Sequence, residues 1–186
     1  MAADKIGIIV LAAGSSQRFG ADKRKALMDN GMTLLDATLA GIPDTISRRI
    51  LVLKKIDRDI ADAHSSWQIC LAENPEAGMA SSLASGIAMA SDWDGALIAL
   101  ADMPHITSQT YTALQDALAD HDIVIPRFNG KRGNPVGFRQ HYFSEIRKLE
   151  GDQGAKSLLK KYEGKCFELE TADEGIIRDV DTPDRL

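Results

Sequence analysis

Short apolar runs alternate with longer amphipathic stretches along most of the chain. The run from Ile6 to Leu11 is interrupted only by Gly7, which is typical of a strand that is buried on both faces. The same pattern predicts further strands at residues 50–53, 96–100 and 123–125. Between them it predicts helices at residues 33–40, 57–64, 81–89 and 108–119. This alternation predicts βαβ units, and therefore a mostly parallel sheet with helices on both faces.

The pattern becomes less regular after Pro126. The residues Phe128-Asn129-Gly130-Lys131 are typical of a tight turn, so we expect a hairpin-like or mixed section before a strand at residues 136–138. Two more helices are predicted at residues 141–149 and 153–162, and strands at residues 166–169 and 176–180. Because no repeat, low-complexity segment or linker interrupts the chain, the sequence predicts a single α/β domain over residues 1–186.

Composition and charge exclude several classes of protein. The 186 residues are 44% hydrophobic and 26% charged, with a formal net charge of -5, which argues against a general nucleic-acid surface. No apolar run approaches the length of a membrane span, and the N-terminus lacks a signal-peptide cleavage pattern. We therefore expect a cytoplasmic protein that binds neither nucleic acid nor membrane.

The segment after the first predicted strand has features of a phosphate-binding loop. It reads Leu11-Ala12-Ala13-Gly14-Ser15-Ser16-Gln17-Arg18-Phe19-Gly20-Ala21-Asp22-Lys23. In open α/β sheets, ligands bind beyond the carboxyl ends of the strands. Gly14 and the small residues allow close approach of backbone N–H groups to phosphate, and Arg18 and Lys23 add positive charge. The spacing matches neither the dinucleotide fingerprint nor the P-loop, and a plain surface loop remains the alternative.

Aspartates occur at two places that suit a metal ion. Asp102 follows the apolar run 96–100, and its carboxylate would face the same crevice as the loop. In an extended segment, Asp179 and Asp181 would point to the same side. The structural alternatives are a turn aspartate before Pro104 and a helix cap before a short final helix. A helix start near Gly78 would offer free N–H groups at the crevice, or would simply pack closely against the sheet.

The loop resembles the signature of the small nucleotidyltransferases that act on molybdopterin, L-A-A-G-x-S-x-R-[M/F]-G-x-x-K. The matching residues are Leu11, Ala12, Ala13, Gly14, Ser16, Arg18, Gly20 and Lys23. The resemblance implies that the loop backbone from Leu11 to Ser16, including Ser15, binds the triphosphate. It also implies that Arg18 and Lys23 neutralise charge as pyrophosphate leaves, with Lys25 as an alternative to Lys23. Guanylyl-transferring relatives usually have a glycine at Ala13, so the resemblance is to the cytidylyl branch.

Five further segments resemble motifs of the same family. Ala101-Asp102-Met103-Pro104 and Asp179-Val180-Asp181-Thr182-Pro183 imply a Mg²⁺ site with Asp102 and Asp181 as ligands and Asp179 as a second choice. The segment from Asn74 to Leu83 implies that Asn74, Gly78 and Ser82 recognise the nucleotide. Residues 132–136 and 149–155 are similar to acceptor-side motifs, although the family often has histidine where this chain has Asn134.

The resemblance implies a fold and a reaction for the whole chain. The fold is a Rossmann-like nucleotidyltransferase domain. The reaction is Mg²⁺-dependent transfer of CMP from CTP to molybdenum-loaded molybdopterin, as in the molybdenum cofactor cytidylyltransferases, with release of pyrophosphate. A molybdoenzyme or its chaperone is a further candidate partner. The alternatives are a sugar or polyol phosphate as acceptor, or a non-catalytic nucleotide-binding module of the same fold.

Overall fold

A mostly parallel β-sheet forms the centre of the protein. The computed structural model describes residues 5–14, 21–151 and 154–182. Within these residues eight strands form one sheet. They are β1 (Ile6–Leu11), β2 (Arg49–Leu53), β3 (Gln68–Leu71), β4 (Gly95–Leu100), β5 (Ile123–Phe128), β6 (Lys131–Arg132), β7 (Val136–Arg139) and β8 (Cys166–Glu170).

The strand order is β3-β2-β1-β4-β7-β5, and both β6 and β8 pair with β5. The pairs β1–β2, β1–β4, β2–β3 and β5–β8 are parallel, whereas β7 runs antiparallel to both β4 and β5. The turn prediction is confirmed, because Asn129 and Gly130 have φ values of 48° and 79° and connect β5 to the antiparallel β6. The α/β fold with a mostly parallel sheet is therefore confirmed.

Six α-helices cover the two faces of the sheet in the described residues. They are α1 (Leu34–Ala40), α2 (Arg58–Ala63), α3 (Met79–Met89), α4 (Ser108–Asp120), α5 (Phe143–Ile146) and α6 (Lys156–Lys161). Short 3-10 helices occur at Lys23–Lys25, Pro75–Ala77, Gln140–Tyr142, Glu163–Lys165 and Glu174–Ile177. No helix in the described part of the chain has the length and apolar character needed to cross a membrane.

The side chains of β1 explain why both faces are covered. Ile8 and Val10 belong to one apolar cluster, with side chains of α1, α2 and α4. Ile9 and Leu11 belong to a second cluster, with side chains of α3, α5 and α6. Because neighbouring side chains of a strand point to opposite faces, a continuous apolar run requires a cover on each side.

Three predicted elements differ in the structure. The predicted strand at residues 176–180 is wrong, since Glu174–Ile177 is a 3-10 helix and the following residues form no strand. The cause is packing against a segment distant in sequence: a Cβ at Gly175 would lie 2.2 Å from the carbonyl oxygen of His105, so the two backbones are in close contact. In place of the predicted helix at residues 141–149, the structure has a 3-10 helix followed by the single turn α5. Helix α3 begins at Met79, two residues before the predicted start at residue 81.

Candidate active site

Three segments meet at the carboxyl edge of the sheet. Leu11 at the end of β1 is paired in register with Leu100 at the end of β4. The N–H of Ala101 donates to the carbonyl of Leu11 at 3.2 Å, which aligns the two segments that follow. The N–H of Val180 donates to the carbonyl of Asp102 at 2.9 Å and brings in the C-terminal segment. The structure therefore places these three segments, which are distant in sequence, side by side.

Lys23 connects the two predicted metal ligands. Its Nζ lies 2.6 Å from Oδ2 of Asp102 and 3.5 Å from Oδ1 of Asp181, and it also donates to the carbonyl of Val180 at 3.3 Å. The side chains of Lys23 and Asp102 are only 18% and 17% exposed. One ammonium group is therefore shared by two carboxylates in a half-buried position, where the interaction is less screened than at the surface.

The chemistry of these groups fits a divalent cation. The second oxygen of Asp102, Oδ1, is buried and has no hydrogen-bond partner among the residues that the structure describes. A buried oxygen of this kind normally has a partner, and a cation would supply one. In the described residues no cluster of three or more His, Cys, Asp or Glu side chains could hold a metal by itself. Two carboxylates that leave other coordination positions to phosphate oxygens and water are typical of Mg²⁺.

The geometry of one 3-10 turn separates Lys23 from Lys25. With three residues per turn, successive side chains of Lys23–Lys25 point about 120° apart. Lys25 donates to Oδ2 of Asp59 at 2.5 Å on the surface, and this hydrogen bond raises the pKa of Lys25. Of the two candidate lysines, Lys23 is the one that contacts the predicted metal ligands.

Arg24, between these lysines, is a buried residue that sequence reasoning missed. Only 8% of Arg24 is exposed. Its Nη1 and Nη2 lie 2.5 Å and 2.8 Å from the carboxylate of Asp57, and its Nε donates to Asp22 at 2.8 Å. Burial by itself would lower the pKa of Arg24, but the hydrogen bonds that Arg24 donates to the two carboxylates raise it further than burial lowers it. Sequence reasoning missed Arg24 because its partner Asp57 lies 33 positions further along the chain, and no sequence motif connects the two residues.

The predicted triphosphate loop begins at the last residue of β1, Leu11. Leu11, Ala12 and Ala13 are buried, whereas Gly14 is exposed. Ser15, Ser16 and Arg18 lie outside the described residues. The triphosphate contacts of this loop and the role of Arg18 therefore stay predictions.

The three predicted nucleotide-binding residues of the central segment lie around the start of α3. Gly78 has a φ of 102°, which favours glycine over other residues. Asn74 is exposed at the start of the Pro75–Ala77 turn, and Ser82 is buried in the first turns of α3. Two residues after Gly78, the N–H of Ala80 donates to the carbonyl of Gly151, in a predicted acceptor-side segment, at 3.1 Å.

The other predicted acceptor-side segment, residues 132–136, packs against the chain that leads to Asp181. The N–H of Asn134 donates to the carbonyl of Ile176 at 2.9 Å. A Cβ at Gly133 would lie 2.3 Å from the same carbonyl oxygen, so the two backbones touch. The peptide bond between Asn134 and Pro135 is cis. Asp152, in the second acceptor-side segment, lies outside the described residues.

Comparison with known proteins identifies the family of the chain. The family model described as "MobA-like NTP transferase domain" matches residues 8–166. The purine catabolism protein PucB of Bacillus subtilis (strain 168) is 30% identical over an alignment of 189 positions, which covers 95% of this chain and 91% of PucB.

Solved structures from Mycobacterium tuberculosis have the same fold. Rv0371c is 28% identical, with a TM-score of 0.86 over 100% of this chain and 96% of Rv0371c. A structure of Rv0371c in complex with manganese superposes with a TM-score of 0.75 at 24% identity, covering 91% of this chain and 89% of that chain. The resemblance found in the sequence is therefore confirmed, and the chain belongs to the MobA-like NTP transferase family of nucleotidyltransferases.

Proposed function

We propose that the protein transfers CMP from CTP to molybdenum-loaded molybdopterin and releases pyrophosphate, in a reaction that depends on Mg²⁺. The observation that carries the proposal is the contact of Lys23 with both Asp102 and Asp181 at the carboxyl edge of the sheet. Carboxylates for a cation and an ammonium group for phosphate charge are what transfer at a phosphorus atom requires.

The reaction is an in-line displacement. A phosphate oxygen of the acceptor forms a bond to the α-phosphorus of CTP, and the bond from that phosphorus to the bridging oxygen of the β-phosphate breaks. Pyrophosphate leaves with the bonding electrons. Asp102 and Asp181 would hold Mg²⁺, which when bound neutralises charge on the phosphate oxygens. Lys23, with Arg18 from the predicted loop, stabilises the charge that develops on the leaving group.

The nucleotide and the acceptor are inferred from family features. The choice of CTP is supported by Ala13, the position at which guanylyl-transferring relatives usually have glycine. A divalent ion is supported by the manganese complex of Rv0371c. The molybdopterin acceptor is supported by the order of the motifs along the chain and by the short length of the chain. A cytoplasmic location and a molybdoenzyme or its chaperone as partner belong to the same proposal.

The proposal is tested by pyrophosphate release in the presence of Mg²⁺ and molybdenum-loaded molybdopterin. CTP, GTP, ATP and UTP are compared at equal concentration. We expect release with CTP and little with the other three. Release with GTP would keep the transferase and contradict the assignment of the base. The molybdopterin preparation is first shown to be active with a control enzyme. If no nucleotide then gives pyrophosphate release with this protein, the result indicates a sugar or polyol phosphate acceptor, or a protein that binds nucleotide without turnover.

A further inference from the structure

The backbone of Ala12, in the predicted triphosphate loop, is held from two sides. Its N–H donates to the carbonyl of Val52 in β2 at 2.9 Å, and its carbonyl accepts from Nη1 of Arg24 at 2.7 Å. A trans peptide is planar, and its C=O and N–H point in opposite directions. The Arg24 guanidinium therefore fixes the direction of the Ala13 N–H, which points away from Arg24.

The same side chain anchors the turn that carries Lys23. Asp22 accepts from the backbone N–H of Arg24 at 3.2 Å and from its Nη2 at 2.8 Å, so backbone and side chain are tied to one carboxylate. Since Lys23 is the adjacent residue, a shift of Arg24 would move the Lys23 ammonium relative to Asp102. Arg24 thus connects the loop backbone and the lysine.

The anchor has the geometry that only arginine provides. Arg24 uses two nitrogens on Asp57, one of which also donates to Ala12, and it places Nε on Asp22. Asp57 is itself fixed, because it accepts from the N–H of Lys54 at 2.9 Å. A lysine carries the same charge, but it is a point charge without the planar fork and cannot make this set of contacts together.

We propose that Arg24, oriented by Asp22 and Asp57, is a positioning residue for nucleotidyl transfer that directs the Ala13 N–H and Lys23 towards the nucleotide. Arg24 acts through these two groups and does not itself touch the phosphates. The inference rests on the proposed function. It adds a residue that the signature loop of the family, as it matches this chain, does not include.

The test is the variant Arg24→Lys, assayed for pyrophosphate release well below its unfolding temperature. Because a displacement of about 1 Å can cost roughly 100-fold in rate, we expect kcat to fall roughly 100-fold with a smaller change in KM for CTP. The matched control is Lys25→Met, which removes the neighbouring exposed cation from the same turn and should keep the wild-type kcat. A purely structural role would lower the unfolding temperature of Arg24→Lys and leave kcat of the folded protein unchanged.

A second variant covers the case in which Arg24→Lys does not fold. Asp22→Asn keeps the buried pair of Arg24 and Asp57 and weakens only the contacts of the more exposed Asp22, so it should fold and lose kcat severalfold. Wild-type kcat in either folded variant would overturn the role of Arg24. A wild-type protein that shows neither turnover nor CTP binding would overturn the proposed function, and the role of Arg24 with it. Loss of kcat in the variants alone supports the inference.

Discussion

At the scale of single residues, Lys23 contacts the two carboxylates that we propose as ligands of a divalent cation. Its ammonium group contacts one oxygen of Asp102 and one of Asp181, and the other oxygen of Asp102 is buried without a partner in the described residues. An ammonium ion and a metal ion both satisfy these carboxylates by positive charge. A cation held by these two carboxylates, as we propose, would therefore compete with Lys23 for them in the absence of nucleotide.

Removal of the Lys23 charge should tighten metal binding. One unit charge at about 4 Å contributes roughly 1 kcal/mol even when fully screened by water, so Lys23→Met should bind Mn²⁺ alone about fivefold more tightly or better than wild type. Titration followed by electron paramagnetic resonance measures this affinity. The same variant should lose most of its pyrophosphate release, because the charge that faces the leaving group is missing.

Lys25→Met is the control for this effect. In the wild-type protein, the ammonium group of Lys25 pairs with Asp59 at the surface and not with the predicted metal ligands. We expect its Mn²⁺ affinity and its turnover to equal those of wild type. Equal Mn²⁺ affinity in Lys23→Met and wild type would contradict the competition between lysine and metal.

The sequence predicted the candidate residues more readily than their contacts. Lys23, Asp102 and Asp181 stand in recognisable motifs, and the structure brings them together. The choice between Lys23 and Lys25 required the turn geometry, which residue types alone do not specify. Arg24 was missed because its role depends on Asp57, and pairs of residues far apart in sequence leave no local pattern.

At the scale of elements, Asp173 holds the C-terminal segment on the start of α4. Its Oδ2 accepts from the N–H of Thr107 at 2.8 Å, from Oγ1 of Thr107 at 2.9 Å and from Oγ1 of Thr110 at 2.6 Å. Its Oδ1 accepts from the N–H of Gly175 at 2.9 Å. Asp173 thus acts as a cap for a helix that begins more than sixty residues earlier, and it fixes the segment that leads to Asp181. The predicted strand at residues 176–180 was wrong because this long-range cap, not a sheet, organises the segment.

Asp173 should make stability depend on pH in the acid range. Burial by itself would raise the pKa of Asp173, but the hydrogen bonds from Thr110, Thr107 and Gly175 outweigh burial and lower it. A carboxylate with a lowered pKa stabilises the folded state above the pKa of the unfolded chain, about 3.9, and this stabilisation is lost as the pH falls through the folded value.

The variant Asp173→Asn measures this contribution. At pH 7 its free energy of unfolding should be about 1 kcal/mol lower than that of wild type, as expected for a lost helix cap. This corresponds to a decrease of about 2–4 °C in Tm. The difference in stability between the variant and wild type should shrink as the pH is lowered below about 4, because the carboxylate of wild-type Asp173 then becomes protonated and loses its charge. Thermal unfolding followed by circular dichroism gives both values.

Glu174→Gln provides the comparison, since it removes the adjacent carboxylate, which pairs only with Arg178 at the surface among the contacts described. It should have almost no effect at either pH. A difference between Asp173→Asn and wild type that stays constant from pH 7 to pH 3 would show that the charge of Asp173 does not contribute.

At the scale of the whole molecule, the fold follows from a few strongly apolar strands. The runs at β1, β2, β4 and β5 are buried on both faces, and this pattern is sufficient to predict a parallel sheet with two layers of helices. The insertion of the antiparallel β7 between β4 and β5 was not predicted. Its four residues carry no signal for which neighbours they pair with, since strand order depends on packing across the whole sheet.

For the whole molecule, we propose that the carboxyl edge of the sheet is a metal-dependent nucleotidyl transfer site. The decisive experiment measures pyrophosphate release from CTP against Mg²⁺ concentration for wild type and Asp102→Asn. Asp59→Asn, which changes an exposed carboxylate outside the site, serves as the matched control. Since loss of even an indirect metal partner typically costs 10–100-fold, we predict a loss of at least about 100-fold in Asp102→Asn and a wild-type rate in Asp59→Asn. A folded Asp102→Asn variant with the rate and Mg²⁺ dependence of wild type would contradict the account.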